Sequence, residues 1–178
     1  VLVNLLRGAA TSGLAAMRPG PQHPLLDLRR EETVAVCATL GLHTVDDPSN
    51  RDPRHLRNRV RHELLPLMAD LSQRDPVVVL ARQAGLARED DDLLETLAAA
   101  LDPTDALALA AAPLALARRA VRRWLTGDHP PDAATVERVL QVARGHAIAT
   151  EVGGGRRVER HRQRLSLGPA EPGNRGVT

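Results

Sequence analysis

The sequence predicts a mostly α-helical protein, and three observations lead there. Ala and Leu supply most of the apolar residues, which make up 43% of the 178-residue chain, and both stand at the top of the helix-propensity scale. Apolar residues recur at helical spacing in most segments. Strand signals are confined to one short stretch and to the last quarter of the chain. The length suits one domain, or one and part of another, and is sufficient to bury a core without disulfides or metals.

The elements follow in order. Val1, Leu2, Leu5 and Leu6 read as the inside of a helix with no start signal, so the chain is expected to begin within a longer element. Gly8 and Gly13 break this helix, and Pro19 to Pro24 form a loop. Asp27 is the expected N-cap of a helix from about Leu28 to Leu40, which Gly41 closes. His43-Thr44-Val45 is a strand candidate, and Asp46 to Asn50 form a turn. From Arg54 a helix places Leu56, Val60, Leu64 and Leu67 on one stripe. Pro66 is expected to kink or end it. Asp75-Pro76 starts a long helix to about Ala100, and Pro113 starts another to Leu125. A further helix runs from Ala133 to Arg144, with Gly145 as its stop. Ile148 to Val152 and Val158 to Leu167 read as a hairpin around Gly153-Gly154-Gly155. The Gly- and Pro-rich tail from Gly168 is expected to be disordered.

Composition removes several function classes. With no Phe, no Tyr and one Trp, aromatic platforms for single-stranded bases are nearly excluded. One Cys excludes an internal disulfide framework and a cysteine-cluster metal site. Cys37 falls among Val34, Ala38 and Leu40 and is expected in the core. The His residues show no ligand spacing, so no metal site is expected. No apolar run approaches about 18 residues, and no secretory pattern opens the chain. A cytoplasmic protein is expected.

The charge is clustered rather than large. All 24 basic residues are Arg, and the net charge is +2. One cluster spans Arg51 to Arg61, a second comprises Arg118, Arg119, Arg122 and Arg123, and a third spans Arg156 to Arg164. Clustered Arg within a balanced total suits localised phosphate contacts. In the first cluster, Asp47-Pro48-Ser49-Asn50 form a rigid turn feeding a helix whose polar face carries Arg54, Arg57, Asn58 and Arg61. Guanidinium forks grip phosphate oxygens bidentately, and an Asn amide can face a base or ribose. A generic Arg-rich helix face would simply be solvated.

The run D-P-S-N, a spacer, and R-N-x-x-R-x-x-L-L-P resembles the signature of tRNA(Ile)-lysidine synthetases. Leu5-Leu6-Arg7-Gly8 with Gly13-Leu14 and Met17, and Pro24-Leu25-Leu26-Asp27 with Arg30-Glu31, are similar to segments of that family's ATP domain. The latter leads to its last strand. The Arg118–Trp124 helix and the Gly153-Gly154 turn with Val158 and Glu159 are similar to its C-terminal helical domain. The resemblance implies the end of an α/β domain of the Rossmann-like, adenine nucleotide α-hydrolase type over 1–70. A linker helix over 71–101 and a helical tRNA-binding domain with a hairpin over 102–167 would follow, with the tail at 168–178.

Members of the family activate C2 of the wobble cytidine of a minor tRNA(Ile) with ATP. The ε-amine of free lysine then attacks, and AMP leaves. The resemblance therefore implies tRNA(Ile), lysine, ATP and Mg²⁺ as partners of the complete enzyme, and is compatible with a homodimer. Arg7, Asp47, Asn50, Arg57, Asn58 and Arg61 would approach the anticodon or the active-site cleft. Arg118, Arg119, Arg122 and Arg123 would contact phosphates farther along the tRNA. Neither S-G-G-x-D-S nor H-x-x-D-D-x-x-E occurs in these residues, and both are expected upstream of Val1. The chain alone is thus expected to carry no catalytic residue, bind no ATP and adenylate nothing. The alternatives are a non-catalytic tRNA-binding remnant and a helix-turn-helix DNA-binding protein built on the Arg118 and Val136 helices.

Overall fold

The computed structural model describes residues 1–15, 17–45 and 47–170. The chain divides into two compact units, Val1–Asp91 and Asp92–Thr178.

The first unit is helical. Helices α1 (Leu2–Leu6) and α2 (Thr11–Leu14) meet across a turn at Gly8, where φ is +75°. Asn4 Nδ2 donates to the Gly13 carbonyl at 2.8 Å. A Cβ on Gly13 would lie 2.4 Å from that of Ala9, so this approach requires glycine. Helix α3 (Arg30–Thr39) begins after Arg29 rather than Asp27. The Glu32 carboxylate accepts the Arg29 backbone N–H at 2.6 Å, and this reach from the third helical position sets the start. Helix α3 buries no residue, and Cys37, expected in the core, is only half-buried.

His43–Val45 is not a strand, and Val45 is 89% exposed. A strand must pair its backbone groups, and no described segment of this unit pairs with it. A 3₁₀ turn (Pro48–Arg51) follows, then α4 (Leu56–Arg59), a π-helical turn (Val60–Leu64) and α5 (Leu65–Ser72). Pro66 neither ends nor breaks the helical run; it lies in the first turn of α5. Proline lacks the N–H for the carbonyl four residues back and crowds it. Widening the preceding turn to π geometry absorbs both effects.

Helix α6 (Pro76–Ala99) starts where expected, with the Asp75 carboxylate accepting the Val77 N–H at 2.9 Å. Arg29 pairs with Asp75 at 2.5 Å, and Arg88 Nη2 donates to the carbonyls of Ala15 and Met17 at 3.2 and 3.1 Å. Leu2, Ala15, Val60 and Ala84 are the buried apolar residues described in this unit.

The second unit has the larger core. After the end of α6 come α7 (Ala106–Ala111), α8 (Leu114–Leu125), α9 (Ala133–Ala143) and strands β1 (Ala149–Gly153), β2 (Arg156–His161) and β3 (Arg164–Pro169). Asp105 caps α7 through the N–H groups of Leu107 and Ala108, both at 3.0 Å. Asp132 caps α9 through Thr135 N–H at 2.6 Å. The Thr135 hydroxyl and N–H hold the Asp132 carboxyl below its usual range. Leu109, Leu125, Val121, Val139, Leu140 and Val158 fill the space between helices and sheet.

The strands form an antiparallel sheet in the order β1-β2-β3. The stretch expected as one strand from Val158 to Leu167 turns back at Arg162, whose φ is +55°, so the single hairpin becomes a meander. Arg162-Gln163 carries none of the usual turn residues, which hides this reversal from the sequence. Gly168 and Pro169, expected in the tail, belong to β3. Ala170 donates its N–H to the Gly155 carbonyl at 2.7 Å, and residues 171–178 of that expected tail lie outside the described residues.

Helix α9 buries Thr135, Val136, Val139, Leu140, Val142 and Ala143 against α7, α8 and the sheet. A helix committed to the core on this scale offers a DNA groove little free recognition face.

Candidate nucleic-acid interface

The turn before α4 is built from its own side chains. The Asp47 carboxylate accepts the Ser49 N–H at 2.8 Å, and the Asp47 carbonyl accepts that of Asn50 at 3.0 Å. The Asp52 carboxylate accepts the Arg54 N–H at 2.9 Å and also receives the Arg54 guanidinium, with Nη2 to Oδ2 at 2.7 Å. Asn58 then fastens the turn to the helix. Its Nδ2 donates to the carbonyls of Ser49 at 2.7 Å and Asp52 at 2.9 Å, and the residue is 6% exposed.

This arrangement shapes an open cleft of about 630 Å³. Arg7, Asn50, Arg54, Arg57 and Asn58 line it, with Val3 and Leu56 as apolar lining. Arg7 and Arg57 are exposed, and among the described residues neither guanidinium has a hydrogen bond or ion pair. The fold thus brings Arg7, near the start of the unit, together with Asn50, Arg57 and Asn58 from its middle. Asp47 acts in the turn, and Arg61 is half-buried on the π-helical turn, not among the residues lining the cleft. Arg54 is an addition to the expected set; it stands in the same Arg-rich run, which was the available signal. A smaller hollow of about 370 Å³ includes Arg51, Arg59, His62 and Glu63, where Arg59 pairs with Glu63 at 2.9 Å.

The second cluster lies on α8 in the other unit and is largely tied down. Arg118 pairs with Glu137, Arg119 pairs with Glu95 at 2.5 Å, and Arg123 Nη2 donates to the Ala98 carbonyl at 3.3 Å. Arg122 is exposed.

The turn should be sensitive to acid. The Ser49 N–H holds the Asp47 carboxyl below its usual value of 3.8, and the Arg54 guanidinium does the same for Asp52. Because both folded values lie below the unfolded one, their contribution is complete above 3.8 and is lost as pH falls through the folded values. Amide exchange of Ser49 and Arg54 should therefore rise as the pH drops below about 4, once corrected for intrinsic rates. An unchanged protection factor down to about pH 2 would contradict this.

The cleft suits an anion with hydrogen-bonding groups: two exposed guanidiniums for phosphate oxygens and Asn50 for a ribose or base. Among the described residues there is no group of three or more His, Cys, Asp or Glu that could hold a metal ion. Gly153–Gly155 links β1 to β2 with no helix following, so it is no phosphate cradle for ATP.

Two family models match the chain: a PP-loop domain over residues 1–68 and a TilS substrate binding domain over residues 105–166. Several curated proteins named tRNA(Ile)-lysidine synthase are similar to it. That of Mycobacterium leprae is 42% identical over 135 residues, covering 70% of this chain and 42% of the relative. That of Mycobacterium bovis is 36% identical over 194 aligned positions, covering 97% of this chain and 60% of the relative. That of Nocardia farcinica is 43% identical over 135 residues, covering 70% and 42%. The chain therefore spans between 42% and 60% of the length of these relatives.

Proposed function

The chain belongs to the tRNA(Ile)-lysidine synthase family, and on that premise we propose that it holds tRNA(Ile) for an ATP-dependent C–N ligase. In that reaction ATP activates C2 of the wobble cytidine, the ε-amine of lysine forms the new C–N bond, and AMP departs. ATP and lysine are partners of the complete enzyme, which acts in the cytoplasm. The 1–70, 71–101 and 102–167 divisions serve respectively as the end of the ligase domain, a linker, and a tRNA-binding domain.

The observation that carries this reading is the cleft, where Arg7 and Arg57 stand exposed beside Asn50 with no hydrogen-bond or ion-pair partner among the described residues. The two guanidiniums grip backbone phosphates, and the pinned turn sets the angle at which Asn50 meets a ribose or base. Asn58 acts through this turn, because its amide already serves two carbonyls. Arg61 adds charge on the cleft's own unit, and Arg122 adds charge on the other. Phosphate contacts position a nucleic acid, so the cleft contributes orientation and no proton transfer.

Binding measured across a salt series tests the proposal. Arg7→Ala with Arg57→Ala should weaken tRNA binding and flatten the dependence of log K on log salt by about one to two units. An unchanged slope and affinity would remove the cleft's role, and a preference for duplex DNA over tRNA would overturn the reading. The 178-residue chain by itself should bind tRNA yet release no pyrophosphate from ATP in its presence. Pyrophosphate release would show that the chain carries catalytic groups after all.

A further inference from the structure

The pleat of β2 divides the third Arg cluster into two classes. Arg156 and Arg160 share the inner face with buried Val158. Arg156 Nη2 donates to the Leu125 carbonyl at 3.1 Å, at the end of α8, and Arg160 Nη1 donates to the Val142 carbonyl at 3.5 Å, at the end of α9. Cationic groups at helix C-termini complement the unsatisfied carbonyls and the dipole. The Arg160 guanidinium also donates to the Arg162 carbonyl at 2.9 Å and to Gln163 Oε1 at 2.8 Å. One side chain therefore bridges the end of α9 to the turn between β2 and β3.

Gly145 completes the bridge. Its φ is +82°, and a Cβ there would lie 2.6 Å from Arg160 Nη1. The close approach brings the segment Arg144–His146 against the Arg160 side chain, which also reaches the Arg162 carbonyl. His146 Nδ1 lies 2.6 Å from Gln141 Oε1, and His161, next to Arg160 on β2, points to the other face of the sheet. Arg144 and Arg162 are both exposed. Among the described residues the guanidiniums of Arg144 and Arg162 have no hydrogen bond or ion pair. The neighbouring carboxylates are engaged elsewhere, Glu159 with Arg157 at 2.9 Å and Asp102 with Arg164 at 3.0 Å. On α8, by contrast, Arg118 and Arg119 are ion-paired within the unit.

We propose that the corner where the Arg144 and Arg162 segments meet over Arg160 is a phosphate-binding site for the RNA backbone. It rests on the tRNA reading and moves the main phosphate contact of the second unit from α8 to this corner. Arg144 and Arg162 supply the guanidinium forks, while Arg160 holds the two segments together and adds positive charge beneath them.

The test is a tRNA-binding salt series on the 178-residue chain carrying Arg144→Gln and Arg162→Gln. The slope should fall by about one to two units, with affinity at low salt reduced about tenfold. Arg144→Lys with Arg162→Lys should restore most of the slope, and Arg118→Gln with Arg123→Gln should leave it near the parent value. An unchanged midpoint of Trp124 fluorescence on unfolding establishes that each variant is folded; an unfolded double Gln variant is replaced by the two single ones. A parent slope in the folded Gln variants overturns the corner site while leaving the cleft reading intact if the Arg7 and Arg57 variants still respond. A parent that does not bind tRNA overturns both.

Discussion

Asn58→Ala is expected to release the turn before α4 and weaken tRNA binding together with it. The substitution removes the donor shared by the Ser49 and Asp52 carbonyls inside a site where Asn58 is 6% exposed. Leaving such acceptors without a partner costs about 1–3 kcal/mol. Asn58→Asp tests the chemistry more sharply, because it keeps the shape and removes the donors. An ionised carboxylate would face two carbonyl oxygens, so Asp should be worse than Ala. Amide exchange across residues 49–55 reads the turn, and tRNA titration reads its consequence. If Asn58→Asp keeps parental exchange and affinity, the amide is not what shapes the cleft.

Leu140→Ala should give the largest loss of stability in the second unit, about 2–5 kcal/mol. Leu140 is 1% exposed on α9 and belongs to the cluster that joins α7, α8 and the sheet. Leu107→Ala, at a residue 57% exposed, should change stability by less than about 0.5 kcal/mol. Trp124, the only Trp of the sequence, packs against the same cluster, so its fluorescence during urea unfolding follows this unit. Equal midpoints for the two variants would mean that the cluster does not carry the unit's stability.

Much of the fold follows from local chemistry. Asp75-Pro76 specifies the start of α6 because a carboxylate cap and a proline without N–H both suit the first turn. Helix α9 follows equally from Asp132, its apolar spacing and Gly145. Where a second segment decides, local rules fail. Val45 has strand-forming character but no described segment pairs with it, and Arg162 reverses the chain without any residue that announces a turn. Pro66 remains within a helical run because the π-helical turn before it accommodates the ring.

The functional residues divide in the same way. The run from Asp47 to Pro66 carries its own identity, because a capped turn and a helical Arg spacing are local features, and the family resemblance rests on them. The sequence by itself thus determined the helical class, most element boundaries and the family resemblance. Only the tertiary structure decided which polar groups remain available. It engaged Asn58 with two carbonyls, tied Arg118 and Arg119 to Glu137 and Glu95, and brought Arg7 into the cleft with Arg57. Charge is written into each residue, but whether a charge is neutralised depends on partners far away in the chain, which folding alone brings within hydrogen-bonding distance.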